Sequence, residues 1–259
     1  MSGAPVDQGR AQGEALRTPV RAALAALRAH HTGLSWWAAR RRARLGPGRA
    51  VSRFFPWQAE RIEGIALGAG LPVSALHLGE RAWRVRGVAR AGAAMLYVSL
   101  DVPPELEPLL LLRASIPDAG GFASLELTCA HWASCLCGIN SEGIAVLCAA
   151  DRARGEPSMR FLAQELLFRA RDLDAGIEHL RRRASYAGGT GTLLVAAPAV
   201  PARWLQLENG AVRETEAEET QAPLQSTLTI DCATRRLSWS GAPGGALVGE
   251  PPETPVVRG

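Results

Sequence analysis

Cys137-Gly138-Ile139-Asn140-Ser141-Glu142-Gly143-Ile144-Ala145-Val146 sets a turn between two short apolar runs, and its reading as a β-hairpin decides the fold class. The flanking runs, Trp132 to Cys137 and Ile144 to Ala149, are rich in residues that suit a buried sheet. Between them Asn140, Ser141 and Glu142 supply turn formers, and Gly143 is free to take positive φ.

On either side of this hairpin the chain alternates between sheet and helix. Upstream, Met95 to Leu100, Leu109 to Arg113 and Phe122 to Thr128 read as strands, the first stopped by Pro103 and Pro104. Downstream, a helix pair is predicted over 157–184, followed by strands at Thr192 to Ala197, Arg203 to Glu208, 225–232 and 235–240. Leu16, Val20, Ala23, Leu24 and Leu27 repeat at helical spacing, with a restart expected at Pro19. A Gly/Pro/Arg linker at 46–49 precedes a helix over 57–69 that Gly68 and Gly70 end. Residues 1–8 are expected to be disordered, Arg213 to Pro223 to be a solvated acidic loop, and 246–259 to be an unanchored Gly/Pro-rich tail. The remainder, 9–245, reads as a single α+β domain.

Composition narrows the class further. At 259 residues and 47% hydrophobic content the chain can bury a sizeable core. The net charge of +4 is carried without a single Lys, and only Asn140 and Asn209 are Asn. That bias points to a G+C-rich genome rather than to a nucleic-acid surface. Arg40-Arg41-Arg42-Ala43-Arg44 has the chemistry to grip phosphate through paired guanidinium contacts, against which stands its reading as a solvated helix end. No apolar stretch approaches the roughly 20 residues of a membrane span, and Met1 to Gln8 lack the basic start and apolar stretch of a secretory signal. An odd count of five cysteines suits reduced thiols in the cytoplasm.

The hairpin motif, Gly138-Ile139-Asn140 with Gly143-Ile144, also resembles that of the acyl-coenzyme A:6-aminopenicillanate acyltransferases, cysteine-type N-terminal-nucleophile (Ntn) hydrolases. Gly9-Arg10-Ala11-Gln12-Gly13 is similar to the family's opening G-x-x-x-G helix, and Gly64-Ile65-Ala66-Leu67-Gly68-Ala69-Gly70-Leu71 to its helix end. Gly155-Glu156-Pro157 before the helix from Phe161 to Arg171, and Thr227 to Pro243, resemble its later segments. The resemblance implies an αββα four-layer sandwich, here partly truncated, with 213–223 replacing a longer family segment. It also implies activity on acyl-amide bonds.

Such enzymes cleave their own backbone so that Cys, Ser or Thr becomes an N-terminal nucleophile, with the new amine as its base. Counting back from Asp101, which ends the strand matching the family's G-x-N-x-D, the nucleophile belongs in Trp83-Arg84-Val85-Arg86-Gly87-Val88-Ala89. That window holds no Cys, Ser or Thr. The motif's Asn is Ser99, and Val98 stands for its Arg or Gln. The strand whose Asn holds the oxyanion, worth roughly 3 kcal/mol per donor, reads Gly191-Thr192-Leu193-Leu194-Val195-Ala196 and lacks that Asn. Asp101, Ser99, Asn140 and Glu208 are the residual site candidates. The expectation is a degenerate homologue without autocleavage that binds a small acyl or amide metabolite, an intact paralogue or a second copy of itself. Its alternative is an active amide hydrolase using an unrecognised nucleophile. No cofactor, nucleic-acid partner or membrane is implied.

Two rival chemistries share one segment. On a strand, Cys129, His131, Cys135 and Cys137 would share a face and offer soft-metal ligands, although the spacing is not that of a zinc knuckle and core packing explains them better. Cys135 or Cys137 as a thiol nucleophile assisted by His131 needs access and a depressed pKa that an apolar strand denies. His30, His31 and His179 fit surface or capping roles, and Ser141 a turn. Asp101 is weighed equally as a strand terminator. Gly188 to Thr192 lacks the lysine of a phosphate loop.

Overall fold

The structure is a computed structural model that describes residues 2–82, 85–92, 94–118, 120–151, 158–187, 191–208, 210–217, 228–240 and 246–252. A short strand β1 (Ser2–Gly3) precedes six helices: α1 (Pro5–Ala15), α2 (Arg17–Ala29), α3 (Gly33–Ala43), α4 (Arg49–Phe54), α5 (Pro56–Ala69) and α6 (Val73–Ala82). A π-helical turn, Arg44–Gly48, joins α3 to α4. Strands β2 (Arg86–Gly92), β3 (Met95–Asp101), β4 (Leu110–Pro117), β5 (Ser124–Cys129), β6 (Cys137–Asn140) and β7 (Ala145–Asp151) lead to helices α7 (Met159–Arg169) and α8 (Leu173–Ala187). The chain closes with β8 (Gly191–Ala197), β9 (Val200–Glu208), β10 (Ala211–Glu216), β11 (Leu228–Asp231), β12 (Arg236–Trp239) and β13 (Leu247–Gly249).

These strands form two sheets in a mixed α+β fold. The larger has the order β1-β4-β5-β6-β7-β8-β9-β10 and the smaller β13-β12-β11-β3-β2; every pairing is antiparallel except β1 with β4. The centre of the larger sheet, β5 to β8, is buried on both faces. Val146 and Cys148 of β7 and Leu193 and Val195 of β8 pack into the helices, while Ala145, Leu147, Leu194 and Ala196 pack against Leu96, Val98, Leu228 and Ile230 of the smaller sheet. Double burial explains why these strands read as continuous apolar runs rather than as an alternation. Helices α2 and α4 to α8 all contribute to the first core, and no described α-helix contributes to the core between the sheets. The described layers are therefore helix, large sheet, small sheet.

The motifs behind the family resemblance have a direct physical role. Cβ atoms built on Gly9 and Gly13 of α1 would lie 2.2 and 2.4 Å from the carbonyl oxygens of Arg61 and Ile65, and those on Gly64 and Gly68 of α5 would lie 2.1 and 2.3 Å from those of Val6 and Arg10. Helix backbone touches helix backbone across four glycines, a crossing that only small residues permit.

The hairpin forms as read: Asn140 donates its backbone N–H to Ile144, and Gly143 sits at φ +84°. Asn140 Oδ1 accepts from the N–H groups of Glu142 and Ile144, at 3.1 and 2.9 Å, while its Nδ2 donates to the carbonyls of Leu167 and Ala170, at 3.1 and 2.8 Å, at the end of α7. One side chain thus closes the turn and ties it to the helical layer.

Several sequence expectations are corrected. The first hairpin strand begins at Cys137, and Ala130 to Leu136 is a buried loop. Buried side chains satisfy the carbonyls of Ala130 and Trp132 to Ser134 and the N–H groups of Ala133 and Ser134, which no period-two pattern reveals. Ser2 and Gly3 pair with Ile116 and Pro117, and Gln8 is fully buried, so the N-terminus is anchored. The 46–49 linker is helical, with Pro47 in the π-helical turn; Arg40, Arg41 and Arg42 do stand in the last turn of α3, as the sequence suggests, but the chain continues from there into further helix instead of a linker. Of the acidic loop, residues through Glu216 form the edge strand β10, where Arg203 meets Glu214 and Glu216 at 3.5 Å, and 218–223 lie outside the described residues. Leu247 to Gly249 pair with β12, so the tail is held there. Gly155 to Pro157 lie outside the described residues.

Candidate functional site

The residual candidates do not converge. Ser99 and Asp101 lie on β3 of the smaller sheet, Asp101 exposed; Asn140 is consumed by the turn; Glu208 ends β9, exposed on the other sheet. Of the nucleophile window, Trp83 and Arg84 lie outside the described residues, while Val85 and Ala89 are buried and Gly87 pairs with Leu100.

The cysteine cluster is equally inert. Because Ala130 to Leu136 is a loop, the shared strand face does not exist, and no group of three or more His, Cys, Asp or Glu side chains among the described residues is disposed to hold a metal. All five cysteines are buried, and burial pushes the Cys137 and Cys232 thiols up to about 12 and raises those of Cys129 and Cys135 well above the ordinary thiol range. Burial first, and then the Arg160 charge, holds His131 down to about 3, so it stays neutral. Glu80 accepts hydrogen bonds from the backbone N–H groups of Ala133 and Ser134 and from the Ser134 hydroxyl, which assigns it to holding the loop.

An open concave feature that gathers charge lies instead in the helical layer. A cleft of ≈ 1100 Å³ is walled by α3, the π-helical turn, α4 and α6. Arg40, Arg41, Arg44, Arg49 and Arg53 line it, with Glu63 as the one carboxylate. Their balance, +4, equals the formal net charge of the whole chain, so the rest of the molecule is close to neutral. Among the described residues none of these five arginines has a carboxylate oxygen within 4.0 Å, whereas Arg10, Arg113, Arg169, Arg181, Arg182, Arg203 and Arg236 are all paired. Arg40 is oriented by Ser74, whose hydroxyl accepts from its Nε and Nη2 at 3.0 and 2.9 Å. Arg41 lies 5.6 Å from the Trp37 ring centroid, and Trp37 is 60% exposed at the rim. Uncompensated like charge held together in this way is costly unless an anion is brought to it.

Sequence reading singled out the arginine run but not His77. Ser74 and His77, one helical turn apart on α6, share a face, and that spacing was the available signal. Burial, then the Arg44 charge, lowers His77 from 6.5 to about 4. The unfolded chain therefore binds a proton that the fold refuses, and stability present above pH 6.5 is lost as pH falls toward 4. His131 acts in the same direction, while Glu80, raised by burial, offsets part of the loss by taking up a proton in the fold. His77→Gln should flatten the decline by about 1.4 kcal/mol per pH unit in this window, read from urea midpoints at several pH values. An unchanged slope would remove His77 from the account.

No protein-family model matches this chain, and no curated protein matches it. The acyltransferase resemblance thus stands on the quoted motifs alone.

Proposed function

We propose that this chain is a shortened relative of the Ntn acyltransferases, with their αββα sandwich cut back to the described layers. It has lost self-cleavage and works by binding. The carrying observation is the window from Trp83 to Ala89, which offers no Cys, Ser or Thr where the family generates its nucleophile. Burial of every thiol, and the separation of Ser99, Asp101, Asn140 and Glu208, add support. The partner classes this reading favours are a small acyl or amide metabolite, an intact relative, or a second copy of the chain.

Purified protein held for days at neutral pH should keep a single mass of 27.5 kDa. Two fragments with a new N-terminus at or near residues 83–89 would overturn the proposal and revive the amide-hydrolase alternative. No single helix among the described residues is long and apolar enough to cross a membrane.

A further inference from the structure

We infer that the arginine-lined cleft between α3, α4 and α6 is a binding site for an organic ligand carrying two or more phosphate charges. The inference rests on the reading of the chain as a binding protein and names what it binds.

Charge sets the class. One carboxylate on a ligand would neutralise a quarter of the +4 gathered there, whereas a phosphoanhydride or a pair of phosphates would neutralise most of it. Guanidinium presents a planar fork of N–H donors that fits two oxygens of one phosphate, and five such forks on three helical segments surround a tetrahedral anion from several sides. The hydroxyls of Ser52 and Ser74 add short polar groups at the wall, and His77, 7% exposed and neutral, can give or accept a hydrogen bond without adding charge.

Shape sets the rest. A volume of ≈ 1100 Å³ exceeds what inorganic phosphate fills and suits a molecule of drug size or somewhat larger. Trp37 and Leu45, 60% and 42% exposed, lie on the rim within reach of both this cleft and the adjoining groove formed by α3 and the π-helical turn. An exposed indole beside Arg41 offers a seat for a planar ring or an acyl chain attached to the phosphates. The π-helical turn widens the helix where it contributes Arg44 and Leu45, and such turns recur at functional positions.

Two sources share this chemistry, a soluble nucleotide-like phosphate and an anionic lipid headgroup, and the test separates them. ADP is titrated calorimetrically at low salt, and vesicles of phosphatidylcholine with or without cardiolipin, whose headgroup carries two phosphates, are sedimented with the protein. Binding of ADP assigns a soluble ligand, and capture only by cardiolipin vesicles assigns a headgroup; either supports the site. Arg44→Gln with Arg49→Gln, both exposed and each removing a like charge from the cluster, should not lower the unfolding midpoint and should weaken whichever binding is seen by at least about tenfold. Arg181→Gln with Arg182→Gln, exposed on α8, should leave it unchanged. No binding of either probe, or equal weakening by the two variant pairs, overturns the inference. Self-cleavage on standing would overturn the binding-protein reading and leave this titration intact, so the two failures are distinguishable.

Discussion

Gly64→Ala should destabilise the fold by about 3 kcal/mol, and Gly64→Val should abolish cooperative folding, because the obstacle each side chain meets is backbone rather than a movable side chain. A Cβ at position 64 would lie 2.1 Å from the Val6 carbonyl oxygen, 2.7 Å from the Arg10 nitrogen and 2.9 Å from the Val6 carbonyl carbon. Relief requires α1 to move away from α5. That motion is resisted below the crossing, where Gln8 Nε2 donates to the carbonyls of Gly3 and Ile116 and Gln12 Nε2 to those of Ala130 and Trp132, each within 3.1 Å. Gly→Ala within a helix otherwise gains about 1 kcal/mol of propensity, so the expected loss is what remains after that gain. Gly33→Ala, at the start of α3 with nothing within 4 Å of its built Cβ, is the control and should be neutral or slightly stabilising. Urea denaturation at neutral pH reads both. Gly64→Ala within about 0.5 kcal/mol of the parent would mean that the helices do not cross in contact.

Legibility in the sequence followed the physics of each segment. The hairpin at Asn140 to Gly143, the late hairpin at Asp231 to Arg236, the helix pair α7 and α8 and the stop of α5 at Gly70 depend on local chemistry, and all were readable. Gly70, at φ +65°, ends its helix for a reason contained in one residue. Strand β5 shows the opposite case. Its alternation of Ser124, Glu126 and Thr128 with Leu125, Leu127 and Cys129 looks half-solvated, yet all six residues are buried. The polar face lies under helices remote in sequence, as with Gln164 of α7 against Glu126, and no local period encodes that cover. The loop Ala130 to Leu136 hides its conformation for the same reason: Ala130 to Ser134 are held largely by side chains on α1, α6 and β4, and Leu136 at its end bonds to neighbouring strands.

The cleft was half legible. Six arginines within fourteen positions are visible in the sequence, five of them lining the cleft, but their meaning depends on whether the chain past Arg44 stays helical. Pro47 and the glycines beside it argued for a linker. The structure keeps the helix through a π-helical turn, which bends the run around a concavity instead of releasing it into solvent. Convergence, and not the count of arginines, makes the candidate site.

The same separation between local pattern and remote cover sets the second large effect, at Arg113 and Glu126. They stand opposite each other on β4 and β5, both side chains fully buried, with Arg113 Nε and Nη2 donating to Glu126 Oε2 at 2.8 and 2.6 Å. Glu126 Oε1 accepts from the Ser124 hydroxyl and Gln164 Nε2, at 2.5 and 2.6 Å. Arg113 also reaches the carbonyls of Trp132 and Ala133 at 2.7 and 2.8 Å and Gln12 Oε1 at 3.1 Å. One ion pair therefore fastens a buried loop, α1 and α7 to the sheet. Burial by itself would raise the Glu126 carboxyl, but Arg113 and then Arg61 hold it below the ordinary range. Its stabilisation is present above that range and is lost on acidification through the lowered value.

Glu126→Gln should therefore cost about 3 to 5 kcal/mol at neutral pH, since it strands two buried guanidinium groups, Arg113 and Arg61, and turns an amide N–H₂ toward donors. Arg113→Met should cost a similar amount, because it removes the donors of two loop carbonyls as well as the countercharge. The double variant Arg113→Met with Glu126→Leu removes both charges together and should be markedly less unstable than the sum of the singles. It should still fall short of the parent, because the Ala133 carbonyl loses its Arg113 donor and the Trp132 carbonyl keeps only Gln12. A double variant as stable as the parent would show that the pair serves only itself. Single variants with losses under about 1 kcal/mol would show that water enters this interface and that the helical layer is not sealed against the sheet.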